Sequence, residues 1–285
     1  MPNQKYATSA AFKVALETRL KKAADERGRP YHVLRKLVSF DRLLARIFMD
    51  KDETFALKGG YSLELRLGRS RTTLDVDLVV REKSLKQAGS IEEAIRDLLQ
   101  ERLEQDLNDY FSFRLGKPTK LTAATIGGFR IPVKSLLGGT QFEDFHLDVA
   151  VGETDPLPLE ELWGESWLEF ANIDQAKPLA IPASLQFSEK LHAYTFPWQE
   201  RENTREKDLI DMAVLIEQGL DKIDTSKRVS DVFRYRKTHE LPEELPEPPS
   251  SWGKVFETMA VEIGFEGTIE TAFNMVKEFY RSLKL

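Results

Sequence analysis

The sequence predicts an α/β (α+β) protein, a mixed sheet with flanking helices followed by a helical C-terminal domain. Three observations predict it. Short runs with the two-residue alternation of strands fall between residues 55 and 151. Helical periodicity fills the first 50 residues and nearly everything beyond residue 184. Glycines separate the strand-like runs, as turns between strands require. The expected division is an α/β domain over residues 1–175 and a helical domain over residues 176–285.

Taken in order, Ala11, Leu16, Leu20 and Ala23 recur at helical spacing until Gly28-Arg29-Pro30 stops the helix. A second helix runs from about His32 to Met49 on Leu34, Leu37, Val38, Leu43, Leu44, Ile47 and Phe48. Thr54-Phe55-Ala56-Leu57 is a short strand ended by Gly59-Gly60, and Leu74 to Val80 alternates as a strand. Ile91 to Leu107 returns to helix. The runs at 111–115, 129–133 and 145–149 read as successive strands, and Trp163 to Pro182 as irregular. Helices are then expected over 184–194, 205–218, 226–237, 252–264 and 268–283. The Pro/Glu-rich stretch 241–251 reads as an extended surface loop.

Composition narrows the function. The 285 residues carry a net charge of −6, with 31% charged residues of mixed sign, which suits a well-solvated globular chain rather than a disordered one. The absence of Cys excludes thiolate metal sites and a Cys nucleophile. No window approaches 18 uncharged apolar residues and no apolar signal segment follows the N-terminus, so a cytoplasmic chain with no membrane partner is expected. The acidic balance argues against electrostatic coating of nucleic acid. Local basic concentrations remain at Arg66, Arg69, Arg71, Arg81, Lys83 and Lys86 and at Arg201, Arg205 and Lys207. Such runs are either solvated faces or a cleft for an RNA backbone.

The most informative segment is Lys58-Gly59-Gly60-Tyr61-Ser62-Leu63, followed by Arg71-Thr72-Thr73-Leu74-Asp75-Val76-Asp77-Leu78. Alternation in a strand puts Asp75 and Asp77 on one face and Leu74, Val76 and Leu78 on the other, toward a core. Strands are depleted in Asp, so two alternating carboxylates among aliphatics mark either a cation site or a solvent-facing edge strand whose Asp residues sit in water. Oxygen ligands suit Mg²⁺ or Mn²⁺. Gly59 and Gly60, between a strand and a helix, allow backbone amides to approach a triphosphate closely. Asp148 lies in a third strand-like run, with Leu147 and Val149 facing the other way. Three carboxylates on neighbouring strands suit metal-assisted phosphoryl chemistry.

These residues resemble the nucleotidyltransferase superfamily, and more closely the AbiEii/MenT family of nucleotidyltransferase toxins. The resemblance rests on Lys58-Gly59-Gly60-x-x-Leu63 and Arg71-Thr-x-Asp75-x-Asp77-Leu78. It extends to Glu189-Lys190-Leu191-His192-Ala193 and to Arg205-Glu206-Lys207-Asp208-Leu209-Ile210-Asp211, spanning roughly Phe55 to Gln218. It implies the nucleotidyltransferase fold, with residues 1–175 as catalytic domain and the C-terminal domain contributing Lys190 and Asp211. It further implies that Asp75 and Asp77 hold Mg²⁺ or Mn²⁺, with Asp148 completing the metal-binding acidic set and activating the acceptor hydroxyl. Lys190 would neutralise phosphate charge, and Asp211 would position the nucleotide or that lysine. Gly59, Gly60, Ser62, Arg71, Thr73, Lys207 and Asp208 are the implied nucleotide contacts. Many superfamily members place Ser directly after the motif Gly; here Gly60 holds that place and Ser62 follows two residues later.

The implied reaction transfers a nucleoside monophosphate from an NTP to an RNA hydroxyl, the tRNA 3′ acceptor end. A toxin doing so would have a cognate antitoxin as partner. The alternatives are nucleotidylation of a protein or small-molecule hydroxyl, and a non-catalytic partner-binding module of the same fold. Without the resemblance, Lys190 reads as a snorkelling surface lysine and Lys207–Asp211 as an exposed ion pair. The four histidines, His32, His146, His192 and His239, show no metal-ligand spacing, and His192 is expected to be solvated. Phosphorylation at Thr72 or Thr73 would oppose metal binding by like-charge repulsion.

Overall fold

A computed structural model describes residues 5–68, 73–85, 89–121, 127–152, 158–198 and 202–285. The chain folds as two compact units that divide after Ala180. No helix among the described residues is long and apolar enough to cross a membrane.

The first unit opens with α1 (Ser9–Arg27), started by the Thr8 hydroxyl, which accepts the Ala11 amide at 3.2 Å, and stopped by Gly28 at φ 61°. Its buried stripe is Phe12, Leu16 and Leu20, while Ala11 is exposed. The expected stripe thus rotates toward the residues with more apolar surface to bury. Helix α2 (Tyr31–Ile47) lies almost wholly in the core, and with it Asp41, Arg42 and Arg46. These charges survive burial because they are paired and hydrogen-bonded. Arg46 makes a two-pronged contact with Asp109 at 2.7 and 3.0 Å and donates to the Phe111 carbonyl at 2.7 Å. Arg42 pairs with Asp41 and donates to the Asp174 carbonyl at 2.6 Å, and Asp41 accepts the Ala176 amide at 2.8 Å. Burial raises the Asp41 carboxyl above its usual range, against the opposing pull of Arg42.

After α2 come β1 (Phe55–Lys58), α3 (Gly59–Leu67), β2 (Asp75–Arg81) and α4 (Ile91–Leu103). Helix α4 begins in a reciprocal Ser90–Glu93 capping box and ends four residues before the expected Leu107. The chain then turns to hand Asp109 to Arg46. The remaining strands are β3 (Phe111–Leu115), β4 (Thr119–Lys120), β5 (Gly128–Leu137), β6 (Thr140–Gly152), β7 (Glu160–Glu161) and β8 (Leu179–Ala180). The segment read as irregular therefore contributes β8 and a 3-10 turn at Glu169–Ala171.

Among the described residues the strands form one mixed sheet in the order β3-β5-β6-β2-β1-β8-β7, with β4 on β5. The β2–β6 and β1–β8 pairs are parallel and the others antiparallel. Strand β2 is therefore central, and Val76, Leu78 and Val80 point into the core with Leu57, Ile131, Leu147 and Val149. Each such side chain contributes about 1.5–3 kcal/mol, enough to set which face of β2 is inward. Leu74 departs from expectation: it precedes the strand and is 52% exposed.

The second unit is helical, with α5 (Ala183–Tyr194), α6 (Glu206–Glu217), α7 (Lys222–Arg236), α8 (Gly253–Ile263) and α9 (Ile269–Ser282). Helix α7 starts before the expected Ser226 because the Asp221 carboxylate accepts the Asp224 amide at 2.7 Å and caps it there. Phe187 of α5 packs edge-on against Phe279 of α9 at 5.3 Å. The Pro/Glu stretch is extended but pinned. Leu245 is buried, Tyr194 donates to the Pro246 carbonyl at 2.7 Å, and Tyr280 donates to that of Pro242.

Candidate active site

The acidic residues expected in the first unit's site, Asp75, Asp77 and Asp148, meet on the sheet face opposite the core. Sheet register places Lys58 of β1 beside Asp77 of β2, Asp77 beside Asp148 of β6, and Asp148 beside Arg130 of β5. Four strands thus carry one row of side chains, with charges plus, minus, minus, plus. Asp75 lies one step along the same face of β2, in register with His146 of β6. Strand spacing near 4.8 Å sets Asp77 and Asp148 close enough to repel by about 3–4 kcal/mol at an effective dielectric of about 20.

Arg130 offsets much of that repulsion. Its Nε donates to Asp148 Oδ1 at 2.8 Å and its Nη2 to Asp148 Oδ2 at 2.7 Å, a two-pronged pair. The same Nη2 reaches Asp75 Oδ2 at 3.4 Å, while His146 Nδ1 stands 3.4 Å from Asp75 Oδ1. The hydrogen bond to Asp148, outweighing desolvation, raises the Arg130 pKa further above its usual value, so it stays charged at any working pH.

Glycine is required at the start of α3. Gly59 has φ +68°, and a Cβ there would lie 2.0 Å from Asp77 Oδ2 and 2.6 Å from its Cγ. The backbone at the helix N-terminus therefore lies directly against the Asp77 carboxylate. Ser62 is fully buried, and its hydroxyl donates to the Gly59 carbonyl at 2.9 Å, bracing this turn. Gly60 is half-buried beside it, and Thr73 is buried just before β2.

The remaining expected site residues belong to the second unit. Lys190 of α5 is only 9% exposed, and its Nζ donates to Asp211 Oδ2 at 2.7 Å and Asp208 Oδ1 at 3.1 Å, both on α6. Asp211 is fully buried. Lys190 is thus no snorkelling surface lysine, and Asp211 pairs with it. Lys207 is exposed, whereas Asp211 is buried. Arg205 Nη1 lies 3.5 Å from Asp208 Oδ2.

His192, expected in solvent, is 5% exposed. It is buried because it ends a hydrogen-bond chain. Thr195 donates to the Leu191 carbonyl at 2.9 Å, so its oxygen accepts from His239 Nε2 at 3.0 Å. Thr238 then donates to His239 Nδ1 at 3.0 Å and accepts from His192 Nε2 at 2.9 Å, leaving His192 Nδ1 toward Arg236. Burial first, then Arg236, pushes His192 down to about 4.

The structure brings together Asp75, Asp77, Asp148 and Gly59 in one unit, and Lys190, Asp208 and Asp211 in the other. Arg71 and Thr72 lie outside the described residues. Among the described residues no three His, Cys, Asp or Glu side chains converge as a ready metal cage, and Arg130 bonds both Asp148 oxygens. Asp75 and Asp77 are nonetheless a fitting donor pair for a hard divalent ion, with oxygen atoms alone. Arg130 and His146 are the residues that sequence reasoning missed. Each sits at an outward position of an alternating strand, which was the available signal; their register with the acids was not.

A sequence model of the nucleotidyl transferase AbiEii toxin family, of type IV toxin–antitoxin systems, matches residues 42–273. The chain belongs to the AbiEii family. It is accordingly a nucleotidyltransferase and a toxin of a toxin–antitoxin system, for which an NTP substrate and an antitoxin partner are implied. The solved structure of MenT4, a nucleotidyltransferase toxin from Mycobacterium tuberculosis H37Rv, superposes at a TM-score of 0.57 with 15% identity. That match covers 94% of this AbiEii-family chain and 89% of MenT4, and it supports the shared fold. A candidate nucleotidyltransferase from H. pylori matches at a TM-score of 0.42 and 13% identity, over 85% of this chain and 90% of that one. No curated protein sequence matches the chain.

Proposed function

We propose that this AbiEii-family toxin transfers a nucleoside monophosphate from an NTP to the 3′ hydroxyl of tRNA in the cytoplasm, blocking translation and growth. What carries the reading is Asp75 and Asp77 on the outer face of a central strand, with the N-terminus of α3 held against Asp77 at Gly59. Asp75 and Asp77 would hold Mg²⁺ or Mn²⁺. When bound, that ion supplies charge neutralisation and alignment for the phosphates.

The chain's own residues do the positioning. Backbone N–H groups at Gly59 and Gly60, at the positive end of α3, receive phosphate oxygens. Ser62 supports that turn from beneath, and Thr73 shapes the approach to β2. Arg71 adds triphosphate contact by resemblance. Lys190 neutralises phosphate charge, with Asp211 and Asp208 fixing its ammonium and Lys207 contributing charge at the surface of α6. In-line displacement at the α-phosphorus forms the new phosphodiester and releases pyrophosphate.

The test is label transfer from each of four α-labelled NTPs to total tRNA with Mg²⁺, comparing wild type with Asp75→Ala. Incorporation by wild type alone supports the reading and names the nucleotide. Folded wild type that labels no tRNA with any NTP refutes the tRNA acceptor and directs the assay to protein and small-molecule hydroxyls.

A further inference from the structure

We infer that Arg130 is a substrate-phosphate receptor and that Asp148 acts by orienting it, rather than as a metal ligand or general base. The inference rests on the proposed nucleotidyl transfer and names a residue and a division of labour within that site.

Four observations carry it. First, both Asp148 oxygens are occupied by one guanidinium, at 2.8 and 2.7 Å. Each oxygen so engaged keeps one lone pair, and the guanidinium charge beside it opposes both a metal ion and a proton there. Second, the pair uses only the Nε and Nη2 atoms of Arg130, and among the described residues Nη1 has no partner. Third, the Arg130 side chain is 42% exposed while that of Asp148 is 14% exposed, so the carboxylate is the fixed half and the guanidinium the presented one. Fourth, Arg130 flanks Asp77 and Asp148 in the row from Lys58 to Arg130, and its Nη2 stands 3.4 Å from Asp75.

An anion brought to Asp75 and Asp77 would meet in Arg130 a planar donor that is already oriented. Guanidinium pairs well with phosphate because two N–H groups can engage its oxygens in parallel. Lysine at this position would keep the charge and lose the fork. Uncharged Met would lose both.

The experiment compares wild type with Arg130→Met, Arg130→Lys, Asp148→Asn, Asp77→Asn and the Arg130→Met/Asp148→Asn double variant. Circular dichroism first checks that each is folded. Mn²⁺ binding is read by electron paramagnetic resonance without nucleotide. Binding of an α,β-methylene NTP, which resists transfer, is read by calorimetry with Mg²⁺ present. The expected result is that Asp77→Asn weakens Mn²⁺ at least tenfold while Asp148→Asn and Arg130→Met leave it within about twofold. Arg130→Met and Asp148→Asn should each weaken the analogue about tenfold, the double variant no more than the worse single, and Arg130→Lys should recover only part. Loss of Mn²⁺ binding in Asp148→Asn overturns the inference, as does undiminished analogue binding by Arg130→Met. Analogue binding and label transfer by wild type in either case would leave the proposed function standing. Wild type that neither binds the analogue nor transfers label overturns both.

Discussion

Replacing Gly59 by Ala should cripple turnover far more than it harms folding. The added Cβ would fall 2.0 Å from Asp77 Oδ2, 2.6 Å from Cγ and 2.8 Å from Cβ of the same residue. A relaxed C···O approach is roughly 3.3 Å, so the carboxylate or the turn must retreat by about 1 Å. Asp77 cannot simply rotate its end away, because its own Cβ is also too close. Ala at φ +68° adds a further cost of about 1–2 kcal/mol. A reacting group misplaced by about 1 Å typically costs about 100-fold in rate. The expectation is therefore a fall in kcat of about 100-fold, with a loss of stability of only a few kcal/mol. Label transfer from an α-labelled NTP gives the rate, and urea unfolding gives the stability. A Gly59→Ala protein within about threefold of wild-type kcat would refute the claim that the α3 turn sets the Asp77 carboxylate.

Further perturbations test other parts of the architecture. Asp109→Ala leaves Arg46 and Arg42 buried without their shared carboxylate, so urea unfolding should show a loss of about 3–5 kcal/mol. Lys190→Met should lower stability by taking the 2.7 Å ammonium partner from the fully buried Asp211, whereas Lys190→Met with Asp211→Leu should recover part of the stability and none of the label transfer. Stability should also fall in acid through His192. Unfolded, it takes up a proton below its ordinary 6.5; folded, it resists until about 4, so the loss accrues as pH drops through that window. At about 1.4 kcal/mol per pH unit the ceiling is about 3 kcal/mol. Urea unfolding at pH 7.5 and 4.5 measures it, and His192→Gln should make the acid loss smaller.

Much of this fold is legible in local pattern. The helix starts at Ile91 and Ile269 follow short polar caps, Ser90 and Thr268, each bonding an amide three residues on. The strands follow alternation, which also separated Asp75 and Asp77 from Val76 and Leu78. Where the reading failed, a distant partner had changed the outcome. Asp41, Arg42 and Arg46 sit inside an apolar helix because Asp109 and three backbone groups receive them. His192 is buried because Thr238 and Arg236, more than 40 residues away, meet its ring.

The chain's own order of residues determined the glycine turn, the Asp75-x-Asp77 face, the Lys190 and Asp211 motifs and the family they mark. Periodicity and backbone sterics act within a few residues, so those features can be read without knowing what folds beside them. The tertiary structure alone decided that Arg130 clamps Asp148, that Gly59 abuts Asp77, and that Lys190 is a buried ion-pair member. Each depends on strand register or helix packing between distant segments. A slip of one residue between β5 and β6, already offset once between Ser135 and Leu136, would turn Arg130 to a different partner. Register is set by burial summed over the whole sheet, and no local window contains that sum.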